Sequence, residues 1–301
     1  MKKVIVLIGQ TAVGKTKLSI DIAKRYNGEI INGDAMQVYK ELNIISDKIK
    51  EDEKQGVIHH LLDIVSINEN YDVEKYQKNI REVIDIISNN NHLPIIVGGT
   101  GLYIKAALYD YNFEKQDVSN EQFENKYKDY SNQELYDLLV KIDYEASLKI
   151  HPNNRRRVLR ALSIYENTGK RKSDIINIQN HQPIYDVLFI GLENDKDLLN
   201  TKIDERIDKM FENGIVDEVK NNPTNTTASK AIGYQEITDY LNNKITLNEA
   251  KELMKIHTHQ YAKRQRTFFK HQFDVNWIKN DNNALDNINI LIDNWIKKEH
   301  E

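Results

Sequence analysis

The fold of this chain is decided near its N-terminus by Val4-Ile5-Val6-Leu7-Ile8-Gly9-Gln10-Thr11-Ala12-Val13-Gly14-Lys15-Thr16. The apolar run before Gly9 is typical of a strand buried on both faces of a parallel sheet. Residues 9–16 match the pattern G-x-x-x-x-G-K-[ST], and helical spacing follows over 17–26. Strand, loop and helix in this order predict a P-loop.

A P-loop predicts a site for a diphosphate or triphosphate group. Glycines let the backbone curl so that successive N–H groups point at the anion, and the next helix adds its positive N-terminal end. Lys15 supplies a mobile positive charge, and the Thr16 hydroxyl can hold Mg²⁺. The pattern leaves the phosphate compound open. The predicted phosphate-binding residues are Gly9, Gln10, Thr11, Ala12, Val13, Gly14, Lys15 and Thr16.

The rest of the chain alternates apolar runs with helical periodicity. This predicts an α/β fold, a P-loop parallel sheet flanked by helices, with mostly helical insertions. Strands are predicted over 3–8, 29–32, 94–97, 185–191 and 275–278, and helices over 17–26, 72–88, 132–149, 154–168, 197–220 and 246–270. Residues 112–130 are not assigned, and 221–227 are predicted as a loop. The P-loop core is expected over 1–112, completed by the strands near 185–191 and 275–278; a largely helical insertion is expected over 113–182, and a further helical part over 195–270.

Composition excludes several classes of protein. The 301 residues contain no cysteine, which removes disulfides, zinc-thiolate sites and cysteine nucleophiles. The net charge of −4 excludes a wholly basic surface but leaves room for a local basic groove. No apolar run approaches the length of a membrane span, and the run after Lys3 is too short for a signal peptide. We therefore expect a cytoplasmic protein without a membrane segment. For the oligomeric state, a monomer is the expectation.

The sequence argues against a GTPase. The strand over 94–97 runs into Gly98-Gly99-Thr100-Gly101, without the Asp that usually helps to position Mg²⁺. Thr201-Lys202-Ile203-Asp204 resembles a guanine-reading motif but lies within a helical pattern.

Two polar residues follow neighbouring predicted strands, Asp34 after 29–32 and Thr100 after 94–97. The carboxyl ends of parallel strands meet at one edge, where ligands bind, so both should border the P-loop crevice. Asp34 there can ligate a metal or accept a proton. On position alone it can equally be a turn-forming residue after Gly33.

A set of motifs along most of the chain resembles one enzyme family. Besides the P-loop, these are Gly33-Asp34-Ala35-Met36-Gln37-Val38-Tyr39, His59-His60-Leu61-Leu62-Asp63, Val97-Gly98-Gly99-Thr100-Gly101-Leu102-Tyr103, Arg156-Arg157-Val158-Leu159-Arg160-Ala161-Leu162, Ala231-Ile232-Gly233-Tyr234 and Ala262-Lys263-Arg264-Gln265. The chain closely resembles the tRNA dimethylallyltransferases, also called tRNA isopentenyltransferases.

The resemblance implies an activity and roles for individual residues. The family transfers a dimethylallyl group from dimethylallyl diphosphate to N6 of the adenine on the 3′ side of the anticodon, releases diphosphate and requires Mg²⁺. Residues 9–16 would then hold the donor's diphosphate. Asp34 would be the general base, with Ala35, Met36 and Gln37 near the flipped adenine. Thr100 would bind substrate at the reaction centre, and Arg206 would hold the diphosphate from across the crevice.

The chain departs from the usual family pattern at several positions. Gln10 stands where Pro is common, Ala35 where Ser is common and Lys202 where Arg is frequent, while 44–48 is a loose version of a more regular segment. Gln10 should matter little, since that loop position offers backbone. Ala35 removes a hydroxyl that could touch RNA.

Two basic clusters are candidate contacts to the tRNA backbone once the resemblance is taken into account. One contains Arg156, Arg157 and Arg160, and the other contains Lys263, Arg264 and Arg266. By composition alone each is a solvated helix face, and the interleaved Phe268, Phe269 and Phe273 are core residues. The histidines are expected to be structural.

Two other functions remain open from the sequence. A small-metabolite kinase would share the P-loop, an acid at the end of a strand and the Gly-Gly loop. A nucleotide-switched RNA-binding protein would not need Asp34 for its activity.

Overall fold

The computed structural model describes residues 1–111, 120–178 and 182–298. Within these ranges a single parallel sheet forms, with strand order β3-β2-β4-β1-β5-β6. The strands are β1 (Lys3–Gly9), β2 (Gly28–Gly33), β3 (His59–His60), β4 (Leu93–Gly98), β5 (Asp186–Glu193) and β6 (Asn276–Lys279). The predicted α/β fold is confirmed. β3 was not predicted, because a strand this short carries no alternating pattern.

β1 lies at the centre of the sheet, between β4 and β5. Ile5 of β1 lies opposite Ile95 of β4 and Leu188 of β5. The whole run from Val4 to Ile8 is fully buried. Apolar residues occupy both faces of β1 because helices cover both faces of the sheet, as in parallel sheets generally.

The helices account for most of the remaining described residues. They are α1 (Lys15–Arg25), α2 (Val73–Asn89), α3 (Gly101–Leu108), α4 (Asn120–Lys126), α5 (Asn132–Ile142), α6 (Tyr144–Ser147), α7 (Arg155–Thr168), α8 (Lys172–Ile178), α9 (Lys196–Glu212), α10 (Ile215–Asn221), α11 (Tyr234–Leu241), α12 (Leu247–Gln272) and α13 (Ala284–Lys297), with a short 3-10 helix over Thr227–Lys230. Asp72 caps α2 by accepting the N–H groups of Glu74 and Lys75. Residues 112–119 of the unassigned segment lie outside the described residues.

Three predictions of element boundaries were wrong. The helix predicted over 197–220 is two helices, since Gly214 has φ 91°, a left-handed conformation that ends one helix and begins the next. The helix predicted over 132–149 breaks at Asp143, whose carboxylate caps α6 through the N–H of Ala146. The loop predicted over 221–227 is shorter, because Asn221 ends α10 and Thr227 begins the 3-10 helix.

The chain divides into two compact units. The first comprises Met1–Tyr109 and the chain from Pro183 onward, and it contains the whole sheet. The second, Asp110–Gln182, is helical in its described part and has its own apolar core, which includes Leu135, Leu139 and Val158. None of the described helices is both long and apolar enough to cross a membrane.

Candidate active site

The P-loop connects β1 to α1, as predicted. Ala12 and Gly14 adopt positive φ angles of 61° and 99°, which turn the backbone sharply before the helix begins. Asn280, after β6, donates from Nδ2 to the Val13 carbonyl at 2.6 Å. A Cβ on Gly14 would lie 2.6 Å from that same Nδ2, so the contact requires glycine. The loop conformation therefore depends on a residue from the far end of the chain.

Lys15 folds back along the P-loop. Its Nζ donates to the carbonyls of Gly9 at 3.0 Å and Gln10 at 2.8 Å. Burial and, to a smaller extent, the nearby Arg206 guanidinium lower the pKa of Lys15 to about 8, although the Asp34 and Asp47 charges act in the opposite direction. A cation whose hydrogen bonds go to neutral carbonyls is suited to receive an anionic ligand.

Arg206 reaches the P-loop from α9. Its Nη1 donates to the Thr11 hydroxyl at 2.5 Å, and its Nε lies 3.3 Å from Oδ2 of Asp47. Lys15 and Arg206 therefore present two positive charges to the same space. Such a pair, together with the N-terminus of α1, forms a site for a multiply charged phosphate group.

Asp34 and Thr100 lie side by side, because β2 and β4 end together. A Cβ on Gly98 would lie 2.2 Å from the Gly33 carbonyl oxygen, so only glycine permits this approach of the two backbones. The Thr100 hydroxyl accepts the N–H of Ala35 at 3.0 Å. Oδ1 of Asp34 accepts the N–H of Met36 at 2.8 Å. This bond fixes the carboxylate and leaves Oδ2 without a hydrogen-bond partner among the described residues.

Gln265, on α12, joins the P-loop to the end of β4. Its Oε1 accepts the N–H of Thr11 at 2.9 Å, and its Nε2 donates to the Gly99 carbonyl at 3.0 Å. The side chain is buried, and a Cβ on Gly99 would lie 2.1 Å from Nε2. One turn away, burial and the Asp34 charge together raise the pKa of Tyr261 to about 12, so this phenol stays neutral.

These residues surround one cavity of about 580 Å³ in the first unit. Polar and charged groups come from the P-loop, the ends of β2 and β4, α9 and α12. Apolar side chains, among them Ile207, Met210 and Met254, form another part of the wall. Of the predicted site residues, the cavity brings together Thr11, Ala12, Gly14, Lys15, Thr16, Asp34, Ala35, Met36, Gln37, Thr100, Arg206 and Arg264.

Other predicted site residues do not line this cavity. Within the first unit they are Gly9, Gln10 and Val13 of the P-loop, and Lys263 and Arg266 of α12. The Gln10 side chain is buried and donates to the Ala262 carbonyl at 3.0 Å, so it fastens the loop to α12. Arg266 pairs with Glu193 at 2.8 Å.

The predicted basic cluster around 156–160 lies on α7, in the second unit. Arg156, Arg157 and Arg160 are exposed. Arg155 differs, because its guanidinium donates to the carbonyls of Tyr127 and Tyr130, both at 2.6 Å. The cluster is therefore an exposed basic surface, and Arg155 helps to hold α7 in its unit.

Phe268, Phe269 and Phe273, around the end of α12, belong to the core, as expected, and several of the described histidines pair with carboxylates. Phe269 is fully buried and Phe273 is 8% exposed, and Phe268 packs against the same core. One example is His259, whose Nε2 lies 2.8 Å from Oδ1 of Asp204. The described residues contain no group of three or more His, Asp or Glu side chains able to hold a metal ion.

Sequence reasoning missed several residues in and around the site, among them Gln265, Asp47 and Glu218. Gln265 stood in a quoted motif, so its contact with the P-loop could have been suspected. Asp47 was noted only as part of an irregular segment, and its contact with Arg206 left no sequence signal. Glu218, on α10, accepts N–H groups from Asn43, Ile44 and Ile45, which orders the segment that carries Asp47.

Mg²⁺ fits the oxygen atoms that line this cavity. This ion prefers hard oxygen ligands and is usually held by one or two protein groups together with substrate phosphates. The Thr16 hydroxyl lines the cavity, where the Asp34 and Asp47 carboxylates also lie. Mg²⁺ therefore does not need a full set of protein ligands at this site.

Fold and site together define a class of protein. The chain is an α/β protein in which a P-loop and a carboxylate line the same cavity. Residues 37–272 match the family model of the IPP transferases. The chain belongs to the IPP transferase family.

Relatives and solved structures agree with this family. A tRNA dimethylallyltransferase of Anoxybacillus flavithermus is 46% identical over 280 residues, covering 92% of this chain and 90% of the relative. The crystal structure of a tRNA isopentenylpyrophosphate transferase from Bacillus halodurans is 37% identical, with a TM-score of 0.75 and full coverage of both chains. A eukaryotic dimethylallyltransferase described as acting on tRNA has a TM-score of 0.84 at 32% identity, covering 99% of this chain and 80% of that one. The family resemblance expected from the motifs is confirmed.

Proposed function

We propose that this protein transfers a dimethylallyl group from dimethylallyl diphosphate to N6 of the adenine on the 3′ side of the anticodon in tRNA. The observation that carries the proposal is the shared cavity, in which Lys15 and Arg206 lie with Asp34 and Thr100. The cavity combines cations that can bind phosphate with a carboxylate that can accept a proton. This combination suits a reaction in which one substrate loses diphosphate and the other loses a proton. The relatives named tRNA dimethylallyltransferase support the same reaction.

The donor's diphosphate occupies the P-loop. Backbone N–H groups at the N-terminus of α1 point at the phosphates, and the macrodipole of this helix adds to their attraction. Lys15 leaves the carbonyls of Gly9 and Gln10 to pair with the anion. Arg206 holds the diphosphate from the α9 side.

Transfer forms a bond between N6 of adenine and C1 of the donor while the C1–O bond breaks. The electron pair of that bond leaves with the diphosphate, so negative charge grows on the leaving oxygens. Lys15 and Arg206 are placed to stabilise this charge more strongly in the transition state than in the bound donor. The apolar side chains of the cavity wall surround the hydrocarbon tail.

Asp34 accepts the proton that N6 loses. The adenine amine becomes strongly acidic only as it bonds to carbon, so an ordinary carboxylate is a sufficient base. The bond from Met36 N–H holds one oxygen of Asp34, and the other remains available for N6. The Thr100 hydroxyl, beside Asp34, helps to position the substrates at the reaction centre.

The adenine enters the cavity unstacked. Ala35, Met36 and Gln37 line the wall next to Asp34, where a flipped base would lie. Unstacking costs least in a single-stranded loop, and this favours a base in the anticodon loop. Arg264, at the cavity, with Lys263 and Arg266 on the same helix, and the exposed Arg156, Arg157 and Arg160 of α7 are the proposed contacts to the tRNA backbone.

Mg²⁺ would be held by the Thr16 hydroxyl together with phosphate oxygens of the donor. When bound, it would supply further positive charge to the leaving group. The monomeric state and the cytoplasmic location expected from the sequence stay predictions.

The decisive experiment incubates the purified protein with unmodified tRNA, dimethylallyl diphosphate and Mg²⁺, followed by mass spectrometry of the nucleosides. We expect N6-isopentenyladenosine at the position following the anticodon, and none when the donor or the protein is omitted. Parallel incubations contain γ-labelled ATP with a panel of small metabolites. Unmodified adenosine in every tRNA, or transfer of the ATP label, would contradict the proposal and favour a kinase.

A further inference from the structure

Asp47 is a second carboxylate in the cavity, and the reaction described above does not use it. It lines the same cavity as the P-loop residues, and 60% of its side chain is exposed. Its Oδ2 lies 3.3 Å from Nε of Arg206. A negative charge beside the cation that receives a diphosphate opposes donor binding, so its presence requires an explanation.

The chain holds Asp47 in place with a set of specific contacts. Asp47 adopts φ 50°, a left-handed conformation that few residue types other than glycine, asparagine and aspartate accept readily. The Gln37 side chain donates to the carbonyls of Ser46 at 3.2 Å and Asp47 at 3.4 Å. The neighbouring Lys48 is nearly buried and donates to the Tyr39 carbonyl at 2.7 Å. The backbone around Asp47 is therefore ordered on both sides.

A more distant residue orders the same segment. One carboxylate, that of Glu218 on α10, accepts three successive backbone N–H groups, from Asn43 at 2.9 Å, Ile44 at 2.8 Å and Ile45 at 2.9 Å. Charge-assisted bonds of this kind are among the stronger hydrogen bonds in proteins. These hydrogen bonds order the segment 43–48 and so hold the Asp47 carboxylate next to Arg206.

We propose that Asp47 is a built-in counter-ion of Arg206, which the donor's diphosphate displaces, and which thereby sets donor affinity and speeds the release of product diphosphate. This inference rests on the proposed function, because it takes diphosphate as the ligand of Arg206. Arg206 donates a hydrogen bond to the Thr11 hydroxyl and forms an ion pair with Asp47. In the donor complex, the phosphate oxygens take the place of Asp47.

The Asp47 charge should lower the affinity of the protein for diphosphates. Donor binding must break the contact between Asp47 and Arg206, and the carboxylate then remains near the phosphates as a like charge. Both effects weaken binding of every diphosphate, substrate and product alike. Removing the charge of Asp47 should therefore tighten binding, whereas a residue that merely positioned Arg206 would weaken binding when lost.

The test uses Asp47→Asn and Asp47→Ala in the full-length protein. Asparagine adopts the left-handed conformation at least as readily as aspartate, so Asp47→Asn should fold normally. Isothermal titration calorimetry with inorganic diphosphate at constant pH, with and without Mg²⁺, measures the affinity without tRNA. We expect Kd to fall about five- to tenfold in both variants. In turnover assays the inhibition constant of diphosphate should fall by a similar factor, and the donor KM should fall with it.

Asp239→Asn is the matched control, because it changes the net charge equally. Asp239 pairs with Lys244 at 2.8 Å and does not line the cavity. Its Kd for diphosphate should equal that of the wild type. A tighter Kd in this control would mean that overall charge, rather than Asp47, is responsible.

Three outcomes separate failure of this inference from failure of the proposed function. Unchanged or weaker diphosphate binding in both Asp47 variants would overturn the counter-ion role. Loss of the Mg²⁺-dependent part of binding would make Asp47 a metal ligand instead. If the wild type binds neither inorganic diphosphate nor dimethylallyl diphosphate, the proposed function itself fails.

Discussion

Arg206 donates a hydrogen bond to the Thr11 hydroxyl, although 195 positions separate these residues in the chain. The contact attaches α9 to the P-loop and adds a second cation to the phosphate site. A P-loop by itself binds many phosphate compounds, and Arg206 gives this one a second cation from a distant helix.

Replacing Arg206 with glutamine should remove charge stabilisation of the leaving diphosphate. We expect kcat/KM for the donor to fall by roughly 10²- to 10³-fold, with part of the loss in kcat, because the missing interaction strengthens in the transition state. Steady-state kinetics with saturating tRNA measures this. Arg25→Gln is the control, since Arg25 is exposed and pairs only loosely with Asp293 at 3.6 Å. A loss smaller than tenfold in Arg206→Gln would place the diphosphate elsewhere.

Replacing Asp34 with asparagine should abolish proton acceptance while the local structure is kept. The amide oxygen can still accept the N–H of Met36, so the turn after β2 should survive. We expect the single-turnover rate of transfer to fall about 10³-fold, with donor affinity unchanged or higher. Rapid quench with labelled donor and excess enzyme measures the rate. Activity within tenfold of the wild type would remove Asp34 from the mechanism.

Donor binding should depend on pH through Lys15. Its pKa is about 8 in the ligand-free protein, and a bound diphosphate raises that pKa. The protonated lysine binds the donor better, so affinity is greatest below about pH 8 and falls above it, by up to about tenfold per pH unit. Titration of dimethylallyl diphosphate from pH 7 to pH 9.5 tests this. Lys15→Met should bind weakly with a flat profile; the same slope in this variant would assign the effect to another group.

Lys15 should also reduce the stability of the ligand-free protein. Its folded pKa lies below the usual 10.5, so the unfolded chain binds the proton more tightly. The cost is fully present below about pH 8 and disappears as the pH rises toward 10.5. Lys15→Met removes this cost but also removes two hydrogen bonds to carbonyls, which offsets part of the gain. We therefore expect the free energy of unfolding to rise by about 1–2 kcal/mol at pH 7. Urea denaturation at pH 7 and pH 10 measures the difference, which should shrink at pH 10. A variant less stable than the wild type at pH 7 would refute this.

The exposed arginines of α7 should affect tRNA and not the donor. In the double variant Arg156→Gln/Arg157→Gln, we expect the KM for tRNA to rise about tenfold while the Kd of the donor is unchanged. The dependence of log KM on log salt concentration should lose about two units of slope, since each backbone contact contributes about one. Arg171→Gln is the control from the same unit. Equal KM values in the double variant and the wild type would exclude these arginines as tRNA contacts.

Local pattern was sufficient to predict the main elements of the fold. The run from Val4 to Ile8 indicated a buried strand, and the glycines and lysine that follow it indicated the phosphate loop. Asp72 showed where α2 begins. Failures occurred where the deciding residue acts through backbone conformation, as Gly214 does between α9 and α10, or where a strand is too short to show a period, as at His59–His60.

The sequence by itself determined the class of this protein, because the P-loop and the acid after the next strand follow from local spacing and from the rule that parallel strands end at one edge. Only the tertiary structure decided which distant residues complete the cavity. Gln265 locks Thr11 to Gly99, and Asp47 meets Arg206, through contacts between segments far apart in the chain. Such contacts depend on how helices pack across the sheet, and packing over long sequence separations leaves no periodic signal in the residues involved.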